Sequence, residues 1–434
     1  MSAEPQTDRR PTRLLNRHFL LLWQGQSISR LGDQAFTIAM LFWAKHTTGS
    51  ATLIGLILMA SGLPAVILGP IGGTLADRHS RRKIIVLSDL LCGVVVLCLA
   101  GLMFLSPGSP QATLIALAVA SVLMGMVEPF FGPAASAAIP DLVPRDKVTS
   151  ANSLGQLSGQ FSMFIGQAAG GTLFRLLGAP VLFLIDGLTY LFAAISESFV
   201  AIPQTLPEKA GHWRDQLREF RRDVLEGMRY IRHRPGLREL VLISALLNFL
   251  AVPVIVLLPF YVEDSLRAPV DWYGFILGAY GAGSVLGYLL AGSLQLAPQV
   301  RGRLMLVLFV LEPIGYALLG LLRQPNLAIV LAALGGIVNG LTDVYVTSVI
   351  QVSTPGDIRG RVFGLLGTIA ASIAPVAAGL SGVIADLTGQ NIPAIYVGSG
   401  LMMATAAVLA ALNPPLRAFL IREERTEERQ EEHA

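Results

Sequence analysis

The stretch "GGTLADRHSRRK", residues 72–83, joins two long apolar runs, and its reading decides how the rest of the chain is understood. Gly73, at the end of the first run, allows another backbone to come close. Asp77 is placed to cap a helix N-terminus or to pair with a cation. Arg78, Arg81, Arg82 and Lys83 then crowd four positive charges onto one short connection. Bases concentrated between two apolar runs are the mark of a loop held on the inner side of a membrane.

Composition agrees. The 434 residues are 53% hydrophobic and 14% charged, with a mean hydropathy of +0.61, far from the roughly one-quarter charged of a soluble domain. Stretches of about 20 apolar residues, enough to cross a hydrocarbon core of about 30 Å, recur at 18–44, 52–76, 84–106, 111–138, 150–174, 180–202, 239–262, 271–296, 304–322, 326–351, 362–385 and 391–412. They lack the period of two of a strand, and Gly and Pro inside them are tolerated in spanning helices. The expectation is an all-α membrane protein of twelve transmembrane helices.

The segment 203–238 holds nine Lys/Arg and divides the spans six and six. The expected organisation is an N-terminal six-helix half (1–202), a cytoplasmic amphipathic linker (203–238), a C-terminal six-helix half (239–412) and a charged tail (413–434). Within the linker Trp213, Leu217, Phe220, Val224, Met228 and Ile231 fall at helical steps opposite a face of arginines, as in a helix lying along the membrane surface. With the connections taken alternately, 27 Lys/Arg fall on the side of the two termini and the linker, and 4 on the other. Both termini are therefore expected in the cytoplasm. The net charge of +3 reads as an orientation signal, and no nucleic-acid partner is expected.

The first span follows a tail with four arginines and lacks a cleavage site, so it is expected to remain as a helix. Cys92 and Cys98 lie six residues apart in one span and read as helix packing. No phosphate-binding G-x-x-x-x-G-K-[ST] loop and no H-E-x-x-H occurs, and none of the six histidines falls in the interior of a span, His18 standing at the first residue of one. These features speak against an enzyme, a cofactor and a metal site.

The halves look like repeats of each other. Gly55 to Gly73 spans 18 residues, as does Gly274 to Gly292; Asp146 to Gly171 spans 25, as does Asp357 to Gly382. Parallel six-helix repeats of this kind bind substrate near the bilayer midplane.

"GQSISRLGDQAF", residues 25–36, puts Arg30 and Asp33 near the middle of the first span. An isolated charge there costs at least about 2.5–3.5 kcal/mol, so both must face protein or water. Gln26 and Thr37 extend the same face, making a polar stripe suited to a cavity wall.

The 72–83 loop resembles that of the major facilitator superfamily, whose pattern of Gly, three residues, Asp-Arg, one residue, Gly and two basics is matched by Gly73, Asp77, Arg78, Arg81 and Arg82, with Ser80 in place of the second Gly. The resemblance implies the major facilitator fold and a gate role for this loop. "GQAAGG", residues 166–171, resembles the drug:proton antiporter motif of the same superfamily through Gly166, Gly170 and Gly171, with Gln167 replacing its Pro. "TGSATLIGL", "IPDLVPRDKVTSANSL" and "GMRYIRHRPGLREL" resemble the macrolide-efflux and enterobactin-exporter-like branch.

By that resemblance helices 1, 4, 7 and 10 line a central cavity. This adds Glu128, Asp343, Asn248 and Asn339 to the site and leaves Asp89, Asp186 and Glu312 on peripheral helices. Gln156, Gln160 and Gln167 on the fifth span are further candidates for cargo contact. The expected function is proton-coupled efflux of amphipathic drugs or a natural product such as a macrolide or siderophore from a bacterial cytoplasmic membrane. Asp33 would be the coupling carboxylate tuned by Arg30, with Glu128 and Asp343 as cavity acids. A small-molecule substrate, protons and the lipid bilayer are the expected partners of a monomer. An importer, a lipid-like cargo flippase and a non-transporting membrane sensor remain open as alternatives.

Overall fold

The computed structural model describes residues 13–204, 213–294 and 296–422, and every regular element among them is helical. The long helices are α1 (Arg17–Thr48), α2 (Ala51–Arg78), α3 (Arg81–Leu105), α4 (Pro110–Leu142), α5 (148–177), α6 (179–198), α7 (Leu237–Val256), α8 (Asp271–Ser293), α9 (Pro298–Leu321), α10 (Pro325–Ser353), α11 (Gly356–Leu387) and α12 (Ile392–Leu412). Ten stretches among the described residues are long and apolar enough to cross a membrane. One of them holds both α5 and α6, which run on from each other except at Gly178 (φ 73°, ψ 167°). α1 is absent from the ten because Gln24, Gln26, Arg30, Asp33 and Gln34 dilute its apolar content.

Several starts follow from local chemistry. Pro stands in the first turn of α4, α9, α10 and α12, where its missing N–H costs nothing. Prolines inside α4 (129, 133 and 140) do not end it, as is usual where neighbouring helices satisfy the freed carbonyls. Gly178 is different, because only glycine adopts its conformation without strain. Gly178→Ala is expected to lower stability by about 1–3 kcal/mol, measured by thermal unfolding in detergent. An unchanged midpoint would show that the break can relax into continuous helix.

The chain clusters into two compact units: Met1–Met40 with Ile67–Gly166 and Leu176–Leu217, and Leu41–Val66 with Gln167–Arg175 and Arg218–Ala434. The second unit thus contains the C-terminal end of α1, most of α2 and residues 167–175 of α5 together with α7 to α12, while α6 stays in the first.

Inside this second unit the repeat seen in the sequence becomes a repeated contact. A Cβ on Gly382 of α11 would strike the carbonyl of Ala51 and crowd Thr52 at the start of α2; a Cβ on Gly171 of α5 would strike the carbonyl of Val270 and crowd Asp271 at the start of α8. Ala51 and Val270 each stand four residues before Gly55 and Gly274. Those glycines in turn press on the carbonyls of Ala378 in α11 and of Gln167 and Ala168 in α5. The two spacings noticed in the sequence therefore mark one small-residue helix crossing used twice.

Polar residues one turn further on fasten each crossing. Asp386 accepts hydrogen bonds from the Ser50 hydroxyl (2.7 Å) and from the N–H groups of Ala51 (3.1 Å) and Thr52 (2.9 Å), capping α2 from outside the helix. At the matching place in the other crossing Arg175 pairs with Asp271 at 3.0 Å.

Lys45, near the end of α1, is only 7% exposed and touches Glu263 (2.6 Å), Asp264 (3.0 Å) and the Pro259 carbonyl (3.2 Å) in the turns that follow α7. Burial alone would raise the Glu263 carboxyl, but hydrogen bonds from His46 and Lys45 and their charges outweigh it and hold the group below its ordinary 4.5. A carboxyl lowered in the folded state stabilises above its ordinary value and loses that contribution as pH falls through the lowered one. The thermal midpoint of wild type is thus expected to fall on acidification below pH 4.5 more than that of Glu263→Gln. Parallel pH profiles would remove this cluster from the acid response.

From Arg218 onward the linker helix (Trp213–His233) is part of the second unit. Gly227 lies against the Arg361 carbonyl, and Arg361 pairs with Asp223 (3.1 Å) and Glu226 (2.6 Å). Tyr230 and Arg234 both donate to the Ser353 carbonyl at the end of α10. Val224 and Ile231 of the expected apolar face are packed, whereas Phe220 and Met228 stay 38% and 50% exposed. The packed stripe is narrower than the sequence implied because a glycine and two ion pairs do part of the docking. The side chains of Trp213 and Leu217 lie outside the described residues.

Candidate functional site

The first unit is built around α1. Gly25 leaves room for Glu197 of α6, Gly32 for Asp186 and Thr189 of α6, and Gly159 of α5 for the Arg30 guanidinium. Gly166 lies against the Gln34 side chain of α1. α1 is therefore pressed between α5 and α6 through glycines, which turns its polar stripe into a wall.

That wall faces a cavity of about 330 Å³ bounded by Gln26, Arg30 and Asp33 of α1, Asp89 of α3, Glu128 of α4 and Tyr190 of α6, among others. Arg30 and Asp33 are not ion-paired there. Arg30 donates to the Gly155 carbonyl (3.2 Å), and Asp33 accepts from the Tyr190 hydroxyl (2.5 Å). The two charged side chains thus have separate anchors, the guanidinium on α5, where Gly159 leaves it room, and the carboxyl on α6.

Behind the cavity stand more carboxyls than sequence reasoning assigned. Asp89, Asp186 and Glu197 are 3%, 0% and 1% exposed. Asp89 and Asp186, expected on peripheral helices, thus belong to the surroundings of Asp33. Glu197 and Tyr190 were missed altogether, although Gly25 and Gly32, seven residues apart on one face of α1, were the sequence signal of a helix crossing there.

Other expected residues scatter. Thr37 donates to the Asp33 backbone carbonyl (2.9 Å) and does not border the cavity. Gln160 is exposed and outside the lining, while Gln156 is part of it. In the second unit Asn248, Asn339 and Asp343 border a separate cavity of about 270 Å³. Glu312 of α9, expected on the periphery, is in its wall.

The 72–83 loop is pinned on several sides. Arg81 reaches α4, donating to the Ala137 carbonyl (2.9 Å) and pairing with Asp141 (2.5 Å), and Arg82 donates to the Ser198 carbonyl. Gln204 brackets the turn by accepting from the Arg81 N–H and donating to the His79 carbonyl. Ser80, where the resembled pattern has Gly, sits at φ −59° and caps α3 by accepting from the Lys83 N–H. No positive φ is needed, so serine fits without strain and adds a cap. Gly73 faces open space, and the close approach expected of it is made by Gly72 against the Pro129 carbonyl of α4. Arg78 ends α2, and the Asp77 side chain lies outside the described residues. In the fifth helix Gly166 and Gly171 are contact glycines and Gly170 is buried.

A bundle of apolar helices enclosing polar, carboxylate-rich cavities is the construction of a multi-pass membrane transporter. The chain belongs to the Major Facilitator Superfamily, whose sequence profile matches residues 22–379 and again 254–433. It is 27% identical over 400 residues to Macrolide efflux protein A of Streptococcus pyogenes, covering 91% of this chain and 96% of that protein. It is 28% identical over 408 residues to the multidrug efflux pump Tap of Mycolicibacterium fortuitum, covering 92% and 96%. Among solved structures it is similar to a bacterial homologue of the iron transporter ferroportin in an inward-facing state (TM-score 0.71, 16% identity, 92% of this chain and 100% of that one). It is also similar to a bacterial homologue of the lysosomal transporter Spinster (TM-score 0.69, 16% identity, 94% and 96%). At such identities the structures speak for the fold alone. The relatives and neighbours are transporters, and the chain is one of them rather than an enzyme.

Proposed function

We propose that the chain is a secondary active exporter that moves amphipathic drugs or a natural product such as a macrolide or siderophore out of the cell in exchange for protons. In this reading it works as a monomer in a bacterial cytoplasmic membrane with both termini inside. The observation that carries it is the first-unit cavity, where Asp33, Asp89 and Glu128 share a wall with Arg30. A carboxylate in such a place holds either a proton or a nearby cation, and that competition links proton entry to cargo release. The two efflux relatives support the outward direction.

Within this scheme Asp33 is the coupling carboxylate, Arg30 sets its field, and Glu128 and Asp343 are further cavity acids. Gln26 contributes a buried amide N–H without a protein partner among the described residues, free to meet cargo. The loop of Gly73, Asp77, Arg78, Arg81 and Arg82 acts as the gate latch, with the 1–202 and 239–412 halves as its moving bodies.

The test is proton release from everted vesicles on addition of macrolides, lipophilic cations and siderophores in turn. Release with one class identifies the cargo and the coupling together. Silence towards every compound, with the protein present and folded, removes the antiport reading.

A further inference from the structure

The second-unit cavity differs in chemistry from the first. Glu312 and Asp343 both border it, and among the described residues of its wall there is no Lys, Arg or His. The first cavity, by contrast, carries Arg30 among its acids. A concave wall with two carboxyls and no base favours a cation.

The protein itself satisfies Glu312 weakly. Its Oε1 accepts from the Tyr316 hydroxyl and from Asn339 Nδ2, each at 3.4 Å, long beside the about 2.5–2.9 Å of charge-assisted bonds. The Ser244 hydroxyl in the same wall is buried with no protein partner among the described residues. Tyr280 and Tyr316 border the same cavity, and aromatic side chains are the residues that hold organic cations.

A second, apolar pocket of about 80 Å³ opens from the same four residues, Ile255, Tyr280, Glu312 and Tyr316. Leu258, Ile276, Leu319 and Leu331 form the rest of its character. Glu312 therefore stands at the junction of a polar chamber and a greasy one. A hydrated inorganic cation has no use for the second chamber, and among the described residues no group of three or more His, Cys, Asp or Glu is placed to hold a metal.

We infer that the second half of the chain carries a cargo subsite for an amphipathic organic cation, with Glu312 as the partner of its nitrogen and the adjoining pocket as the seat of its apolar body. This rests on the export reading only for the class of cargo. It adds a second anchor, with the charged head of the cargo met by α9 in this cavity and the carboxyls around α1 left to exchange proton and cation. Ser244, Asn248 and Asn339 supply the neutral hydrogen bonds that orient it.

The test is equilibrium binding of ethidium and, in parallel, tetraphenylphosphonium to the purified full chain in detergent, followed by fluorescence and calorimetry. Glu312→Gln is expected to weaken both by about tenfold or more, the factor for losing a bond to a charged group. Glu312→Asp, which keeps the charge, should retain most of the affinity. Gly335 borders the apolar pocket and a Cβ there meets open space, so Gly335→Leu should fold and weaken the bulky cations while leaving Glu312 intact.

Unchanged binding by both Glu312→Gln and Gly335→Leu overturns the subsite, as does failure of wild type to bind either cation. Binding that depends on Glu312 in a protein that releases no protons in vesicles would leave the subsite standing and remove the antiport reading. Vesicle antiport with a cation that ignores Glu312 would do the reverse.

Discussion

Asp33→Asn is expected to cut proton-driven export to about one-hundredth of wild type or less, a coupling loss worth about 2.7 kcal/mol or more, while the protein still inserts and folds. Asparagine keeps the size of aspartate, and its carbonyl oxygen can still accept from the Tyr190 hydroxyl that Asp33 engages at 2.5 Å. What it loses is the ability to alternate between a charged and a neutral form. The measurement is cargo-induced proton release in everted vesicles, with thermal unfolding in detergent as the folding control. Export at the wild-type level would take the coupling role from Asp33 and pass it to Glu128 or Asp89. Tyr190→Phe is a useful companion, because it removes only the hydroxyl and leaves the carboxyl titratable.

The second large effect is expected at a glycine with no polar chemistry at all. Gly382→Leu places a side chain against the carbonyl of Ala51, a backbone atom that cannot swing aside as a side-chain tip would. α2 and α11 must part there, at a cost of about 1–3 kcal/mol or more, and the three hydrogen bonds from residues 50–52 to Asp386 are stretched with them. The expected result is a lower thermal midpoint and strongly impaired transport. Gly171→Leu should do the same at the start of α8. Gly73→Leu should be mild for stability, since that glycine faces open space. A Gly382 variant as stable and active as wild type would mean that the crossing is looser than its contacts imply.

Much of the architecture was legible because each span is long and the apolar signal accumulates over some 20 residues. The helices outrun the apolar stretches at their ends, as where α11 begins at Gly356 rather than 362 and α9 at Pro298 rather than 304, because polar first turns still form helix in the interface. The contents of the site were less legible. Period alone gives which residues share a face but not which neighbour that face meets. Arg30 and Asp33 share a face, yet one binds α5 and the other α6. Asp89, Asp186 and Glu312 were set aside because their helices were expected at the periphery, whereas a long side chain on such a helix still reaches inward. The glycines told more than the charges did. Gly171 and Gly274 each mark a place where two backbones meet, and Gly25, Gly32 and Gly166 each mark one where a neighbouring side chain is taken in; charge placement follows from those meetings.

The doubled crossing has a consequence for anyone recombining relatives of this chain. Descent of both six-helix halves from one ancestral unit would explain why the same glycine and the same neighbouring carbonyl recur, but the fastening four residues on has since diverged. One copy keeps an acid on α11 that caps α2; the other keeps a base on α5 that answers an acid on α8. Each lock is therefore shared between an early helix and a late one, and its key is written in opposite charge. A chimera that takes residues 239–412 from a relative must carry matching residues at 50–52 and at 175, or it will join two sound halves whose locks no longer fit.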